Sequence, residues 1–151
     1  MKKKIGIIAV DFDCTLTLDD NNYPECGRPN VEAIKLLKEF RAQGGKLILW
    51  TCRYGEALEK AVAMCSCFGL SFDAVNDNLP EQSAKWRLTH PDAVVMSRKI
   101  YADMYLDDKD VRAIIRGGVD WNAVSMILFD QTLSEFLRFH GYDAKEMAEA
   151  I

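Results

Sequence analysis

Two aspartates two residues apart, Asp11 and Asp13, are the residues of this chain whose types and spacing best suit catalysis. They follow the apolar run Ile5–Val10, which is too short for an ordinary helix and is typical of a parallel strand buried on both faces. Open α/β sheets bind their ligands at the carboxyl ends of such strands. Two carboxylates ~4 Å apart repel each other by roughly 4 kcal/mol at an effective dielectric constant of about 20. A divalent cation would offset this repulsion, so the sequence predicts a metal-assisted reaction site here.

Polar residues follow two further apolar runs of the same kind. Thr51 comes directly after Lys46–Trp50, and the pair Asp107 and Asp108 comes directly after Tyr101–Leu106. The carboxyl ends of parallel strands meet at one edge of a sheet, where α/β proteins place their ligand crevice. Three such placements are hard to explain as ordinary turns, although turns use aspartate freely. We therefore expect these side chains to gather around one site.

The elements that would position these residues alternate along the chain. The expected strands are Lys4–Val10, Lys46–Trp50, Phe72–Val75, Tyr101–Leu106 and Ser125–Phe129. The expected helices are one opened by Pro29 and Asn30 and ended by Gly44 and Gly45, followed by Tyr54–Phe68, Pro80–His90, Thr132–His140 and Ala144–Ile151. Residues Ala93–Met96 fit either a brief strand or an extended connector, and Trp50, Trp86 and Trp121 are expected in the core. The alternation predicts an α/β, Rossmann-like three-layer sandwich, with a parallel sheet of about five strands and helices on both faces.

Length and composition exclude several classes of protein. The 151 residues fit one domain, residues 1–151, and a net charge of −4 lacks the basic face that nucleic-acid binding needs. The apolar stretch behind Met1–Lys4 is broken at Asp11, too early for a signal peptide or a membrane span. The five cysteines are odd in number and lack a paired spacing, which favours reduced thiols in the cytoplasm.

Four segments together resemble the motifs of the haloacid dehalogenase superfamily of phosphohydrolases. Val10–Leu16 is similar to the first motif, in which an apolar strand delivers Asp-x-Asp-x-Thr/Val, with Cys14 where glycine is usual. Leu47–Thr51 is similar to the second motif and Met104–Asp108 to the fourth, while Lys99 stands where the single lysine of the third motif belongs. The order of the motifs agrees with the family over most of the chain.

The resemblance implies a phosphatase that works through an aspartyl-phosphate. Asp11 would be the nucleophile, and Asp13 the acid/base that protonates the leaving oxygen, with a pKa raised by neighbouring carboxylates. Magnesium would be held by Asp11, the main-chain carbonyl of Asp13 and Asp108, with Asp107 as the supporting acid. The roles of Asp107 and Asp108 could also be exchanged.

The resemblance also implies groups for the phosphate. Thr51 would donate its hydroxyl to the transferring phosphoryl group, and Lys99 would supply a positive charge, with Lys85 as the alternative lysine. Taken alone, Thr51 is more typical of a helix N-cap and Lys99 of the solvated surface, and only the order of the motifs favours the phosphate-binding roles. Arg53 suits either a contact with a substrate phosphate or carboxylate or an ordinary solvated position.

Family members often carry a cap domain that chooses the substrate, and this chain has no room for one between its motifs. Leu18–Arg28 would form a small flap instead. The expected partner is a small phosphorylated metabolite or a phosphorylated macromolecule, and a homo-oligomer could supply the lid.

Two other interpretations stay open. A receiver-type signalling domain would need an aspartate after the third strand, where this chain has Asn76. A catalytically idle phospho-ligand binding module would keep the fold without turnover.

Overall fold

The computed structural model describes residues 4–141, which form a four-stranded sheet and six helices. The strands are β1 (Ile7–Val10), β2 (Lys46–Leu49), β3 (Ala74–Val75) and β4 (Met104–Leu106), all parallel and in the order β3-β2-β1-β4. The helices are α1 (Val31–Ala42), α2 (Gly55–Cys67), α3 (Pro80–Thr89), α4 (Val111–Arg116), α5 (Trp121–Phe129) and α6 (Leu133–Phe139). The predicted α/β three-layer sandwich is confirmed. Within the described part, no helix is both long and apolar enough to cross a membrane.

The register of the strands aligns their carboxyl ends. Val10, the last residue of β1, lies opposite Leu49 at the end of β2 and opposite Leu106 at the end of β4. The residues that follow these strands therefore start from one level of the sheet. This alignment, rather than any contact between distant loops, is what brings Asp11 next to Asp107.

Alternation along the strands builds two cores of unequal size. On the first face, Ile8, Val10, Leu47 and Leu49 pack with side chains of α1, α2, α5 and α6. On the second face, Ile7, Ala9 and Ile48 are covered by Leu79 and Ile100. Helix α3 also lies on the second face, and none of its side chains is fully buried. The second face is thus covered by a thin layer, in contrast to the thick helical layer on the first.

The predicted fifth strand is wrong, because Ser125–Phe129 is the second half of helix α5. The carboxylate of Asp120 caps this helix by accepting the backbone N–H of Ala123 at 3.0 Å, and Asp130 ends it in the left-handed conformation. Val124 and Ser125 are buried, and α5 lies against α6 and α1. A short apolar run has the same hydrophobicity whether it belongs to a buried strand or to a buried helix face, so periodicity did not separate them.

The other predicted elements agree with the structure to within a few residues at their ends. Residues 93–96 form a connector with a bend at residues 94 and 95, and the predicted helix at Ala144–Ile151 lies outside the described residues. The predicted flap, residues 18–28, is a loop closed at its base by a bridge between Thr17 and Pro29. Gly27 is required there, because a Cβ atom would lie 1.9 Å from the carbonyl oxygen of Asp19.

We expect Asp120→Ala to lower the free energy of unfolding by about 1–2 kcal/mol, because α5 loses its N-cap. Asp120→Asn keeps a side-chain oxygen that caps the helix equally well, so it should lose only a fraction of this stability. The ion pairs of Asp120 with Arg112 and Arg116 contribute little, because both arginine side chains are exposed. Urea unfolding followed by circular dichroism measures both variants. Equal losses would show that the cap does not stabilise α5.

Candidate functional site

The candidate site lies at the carboxyl edge of the sheet, between β1 and β4. The chain places β2 and β3 on one side of β1 and then crosses over to place β4 on the other side. Adjacent connections leave a sheet in opposite directions at such a switch point, which opens a crevice. Asp11 is fixed at this crevice because its backbone N–H donates to the carbonyl of Leu106 at 2.9 Å.

Three carboxylates converge at the crevice, and we call them the aspartate trio: Asp11, Asp107 and Asp108. One oxygen of each lies within 4.8 Å of the others, and all three residues are partly buried. The sequence predicted this gathering from the ends of the first and fourth strands. Of the four carboxylates predicted to gather here, the structure brings these three together and pairs the side chain of Asp13 with Arg53 instead.

Burial, the largest cause, and the charges of Asp107 and Asp108 together raise the pKa of Asp11 from 3.8 to about 7, against the opposing effect of two hydrogen bonds. Those hydrogen bonds come from the backbone N–H of Phe12 and from the Thr15 hydroxyl, which donates at 3.2 Å. Without a cation, the trio therefore holds a proton on Asp11 at a pH where an ordinary aspartate has lost it. A bound cation would displace that proton.

The Oδ1 atom of Asp108 is buried and accepts no hydrogen bond from the described chain. The Nζ atom of Lys109 lies 3.6 Å from this oxygen, which is an ion pair but too long for a hydrogen bond. Asp107, in contrast, accepts the backbone N–H of Lys109 at 2.9 Å. A buried acceptor with no donor is costly unless a ligand completes it. This difference favours Asp108 over Asp107 as the residue that contacts a metal directly.

The trio fits a hard divalent cation. Such ions take carboxylate oxygens at ~2.1 Å for magnesium or ~2.4 Å for calcium, which places neighbouring ligand oxygens roughly 3 to 5 Å apart. The three carboxylate oxygens, which all lie within 4.8 Å of one another, are compatible with this spacing. All three donors are oxygens, which disfavours zinc and copper relative to magnesium, manganese and calcium.

Lys109 is a site residue that sequence reasoning missed. The charges of Asp108, Asp11 and Asp107 raise the pKa of its ammonium, with Asp108 contributing most. Its position directly after Asp108 was the available signal, but a lysine following a turn is usually solvated, and its side chain is in fact 80% exposed. It partly offsets the negative charge of the trio from the solvent side.

Asp13 faces a different partner from the trio. Its carboxylate is held by the guanidinium of Arg53 in a bidentate pair, with Nε to Oδ2 at 2.8 Å and Nη2 to Oδ1 at 2.7 Å. The expected neighbours of this side chain were carboxylates, and the structure supplies an arginine instead. An acid/base role would require Asp13 to turn out of this pair. The predicted contact of its main-chain carbonyl with a metal stays a prediction.

Arg53 is a buried anchor, with a side chain only 1% exposed. Its remaining donors bond the carbonyls of Pro24 at 2.8 Å, Glu25 at 3.0 Å and Ala57 at 3.1 Å. Its guanidinium carbon lies 4.8 Å from the ring centroid of Phe12 and 5.1 Å from that of Tyr23. All five N–H donors of an arginine are therefore engaged. The substrate contact suggested for Arg53 would need one of these bonds to break.

Thr51 lies at the same edge, on the β2 side. Its N–H donates to Oδ1 of Asn76 at 2.8 Å, and its Oγ1 accepts the N–H of Arg53 at 3.2 Å. The hydroxyl proton is left for another acceptor. Helix α2 begins later, at Gly55, so Thr51 is not its N-cap.

The two predicted phosphate-binding lysines lie away from the trio, on the second face. The Nζ atom of Lys99 lies 5.8 Å from the ring centroid of Tyr105, whose hydroxyl donates to the carbonyl of Ile100. Lys85 and Lys99 line one cavity, so the structure does not separate them. The lysine whose ammonium pairs with the trio is Lys109.

The comparisons with known proteins give one match. No family model and no curated protein matches the chain. A solved structure, described as that of a conserved protein coded by a locus of Bacteroides thetaiotaomicron, is 33% identical and superposes with a TM-score of 0.64. The match covers 89% of this chain and 98% of that one, and the description of the Bacteroides protein names no activity or ligand.

In metal-free protein, we expect Asp11→Asn to raise the free energy of unfolding near pH 8 by about 1–3 kcal/mol, allowing for solvent screening. The folded-state pKa of Asp11 lies above its unfolded value, so the folded protein loses stability as pH rises from 3.8 towards 7. Asparagine has no charge to bury. The stabilisation by Asp11→Asn should therefore vanish near pH 4, where the wild-type carboxyl is also largely uncharged. Urea unfolding in EDTA at both pH values tests this, with Asp92→Asn in an exposed loop as the control. An equal difference at both pH values would contradict the account.

We expect Arg53→Met to lower the free energy of unfolding by about 3 kcal/mol, because the Asp13 carboxylate and three carbonyls lose their donors together. Arg28→Met is the matched control, since Arg28 also pairs with an aspartate but its side chain is 64% exposed. The control should change stability far less in the same urea titration. Similar losses for both variants would show that Arg53 is not an anchor.

Proposed function

We propose that this chain, which belongs to the same family as the conserved Bacteroides thetaiotaomicron protein, is a magnesium-dependent phosphomonoester hydrolase of the haloacid dehalogenase type. The observation that carries the proposal is the aspartate trio at the switch point, with the buried Oδ1 of Asp108 lacking a donor. Three of the four motif resemblances, those that contain Asp11, Thr51 and Asp108, agree with this position, whereas Lys99 lies at the cavity beside α3. The similarity to the Bacteroides protein shows a family relationship, and the description of that protein names no activity.

Asp11 is the proposed nucleophile. Its carboxylate is oriented by the N–H of Phe12 and the hydroxyl of Thr15, which leaves an oxygen to attack phosphorus. The bond from phosphorus to the leaving oxygen breaks as the bond to Asp11 forms, and water then cleaves the aspartyl-phosphate to release phosphate. Magnesium held by the trio would keep Asp11 ionised near neutral pH and draw charge from the phosphoryl oxygens.

Asp13 is the proposed acid/base, and Arg53 controls when it is available. In the structure both oxygens of Asp13 are occupied by the guanidinium. The same guanidinium holds the carbonyls of Pro24 and Glu25 in the flap. Release of Asp13 towards a leaving group is therefore linked to the flap through Arg53.

The remaining residues contribute to phosphate binding. Thr51 offers its hydroxyl proton to a phosphoryl oxygen, and Lys99 supplies positive charge as the motif order suggests. Lys109 adds a second charge from the side of the trio. The proposed substrate is a small phosphorylated metabolite or a phosphorylated macromolecule, in the cytoplasm, and a second copy of the chain could serve as the lid.

The strand order argues against the receiver-type interpretation. Receiver domains have the order 2-1-3-4-5, with the switch point between the first and third strands. Here the order is β3-β2-β1-β4, and Asn76 follows β3 and bonds Thr51 through its side chain. An idle binding module stays as the second candidate, because it would use the same trio without turnover.

We expect the purified protein to hydrolyse p-nitrophenyl phosphate with Mg²⁺, and EDTA to abolish the activity. Asp11→Asn should lower kcat at least ~1,000-fold because the nucleophile is lost, while Asp108→Asn should mainly raise the Mg²⁺ concentration needed for half activity. Asp92→Asn, a charge-matched change in an exposed loop, should behave as the wild type.

Activity that survives EDTA, or that persists in Asp11→Asn, would exclude this mechanism. Mg²⁺ that raises the thermal unfolding temperature without any ester hydrolysis would favour the idle module instead.

A further inference from the structure

A cavity of about 440 Å³ lies beside the sheet, between helix α3 and the segment that leads to β4. Asn78, which lines the cavity, accepts the N–H of Tyr101 at 2.7 Å, and Asn76, two residues earlier in the chain, accepts the N–H of Thr51 at 2.8 Å. Its volume falls in the range of roughly 300–1,000 Å³ that is usual for small-molecule sites. The cavity is therefore large enough for a metabolite.

The charge of the cavity is opposite to that of the chain. The residues that line it include Lys85 and Lys99 and no acidic residue, although the net charge of the chain is −4. Neither lysine forms an ion pair with a residue of the described chain. Two lysines that line one space and form no ion pair favour an anion of about two charges, as a phosphate monoester carries at neutral pH.

The walls of the cavity are aromatic. Trp86 and Tyr101 line it, and His90 stacks on Trp86 with ring centroids 4.5 Å apart and an interplanar angle of 9°. The sequence suggested a core position for Trp86, but it lies outside both hydrophobic cores. A half-buried indole whose plane is fixed by a stacked neighbour is suited to hold a planar ring.

We infer that this cavity binds a phosphate ester with a planar aromatic ring. The phosphate lies between the ammonium groups of Lys85 and Lys99, and the ring lies against Trp86 and Tyr101. This inference rests on the proposed function in one respect, that the ligand is the substrate of the enzyme. Binding of the ligand in the cavity does not require the trio. Lys99 is also the lysine that the motif order assigns to the phosphoryl group.

The test is calorimetric titration of metal-free wild-type protein, in EDTA, with adenosine monophosphate, ribose phosphate and adenosine. We expect adenosine monophosphate to bind at least ~10-fold more tightly than either fragment, because it alone engages both the lysines and the rings. Lys85→Gln should weaken adenosine monophosphate about 5-fold and leave adenosine unchanged. Trp86→Leu should weaken adenosine monophosphate and adenosine about 10-fold and leave ribose phosphate unchanged.

Lys38→Gln is the matched control, since Lys38 carries the same charge on α1, which packs on the first face. It should bind all three compounds as the wild type does. Absence of binding at millimolar adenosine monophosphate, or equal affinities in wild type, Lys85→Gln and Trp86→Leu, would overturn the inference.

Hydrolysis of p-nitrophenyl phosphate with Mg²⁺ in the same preparation separates the two proposals. Turnover without cavity-dependent binding would overturn the cavity inference alone. Cavity-dependent binding without turnover would support the cavity inference and overturn the proposed hydrolase.

Discussion

Mutual repulsion among three carboxylates is the constraint around which this site is organised. The parallel register ends β1 and β4 at the same level, so Asp11, Asp107 and Asp108 share one partly buried space. Burial and repulsion together raise the pKa of Asp11 to about 7, and Asp108 retains an oxygen without a donor. A fold keeps such an arrangement at a cost in stability, which is typical of a functional site.

The second charged feature of the site, the pair of Asp13 and Arg53, has the opposite character. Every N–H donor of the Arg53 guanidinium and both carboxylate oxygens of Asp13 form hydrogen bonds. The pair joins the end of β1, the flap and helix α2. The site therefore combines an unsatisfied part, suited to a ligand, with a fully satisfied part, suited to holding the surrounding loops. Two aspartates only two residues apart in sequence belong to these different parts.

The sequence was sufficient for the trio because buried parallel strands have a distinctive composition and because their ends must align. It was insufficient for Arg53, whose five bonds reach residues of three separate segments, and for Lys109, whose local pattern is that of a surface lysine. Ser125–Phe129 shows the same limit at the level of the fold. Its composition suits a strand, but the N-cap at Asp120 and the contact with α6 stabilise a helix. Features that follow from the composition of the strands and the alignment of their ends were predictable. Features that depend on side-chain contacts with other segments were not.

The most direct test of the central claim is a crystal structure of the protein soaked with Mn²⁺, with data collected at the manganese absorption edge. The account predicts one anomalous peak between Asp11 and Asp108, with oxygens of both at ~2.2 Å and Asp107 beside them. Ordered carboxylates with no anomalous peak, or the ammonium of Lys109 in place of the ion, would contradict it.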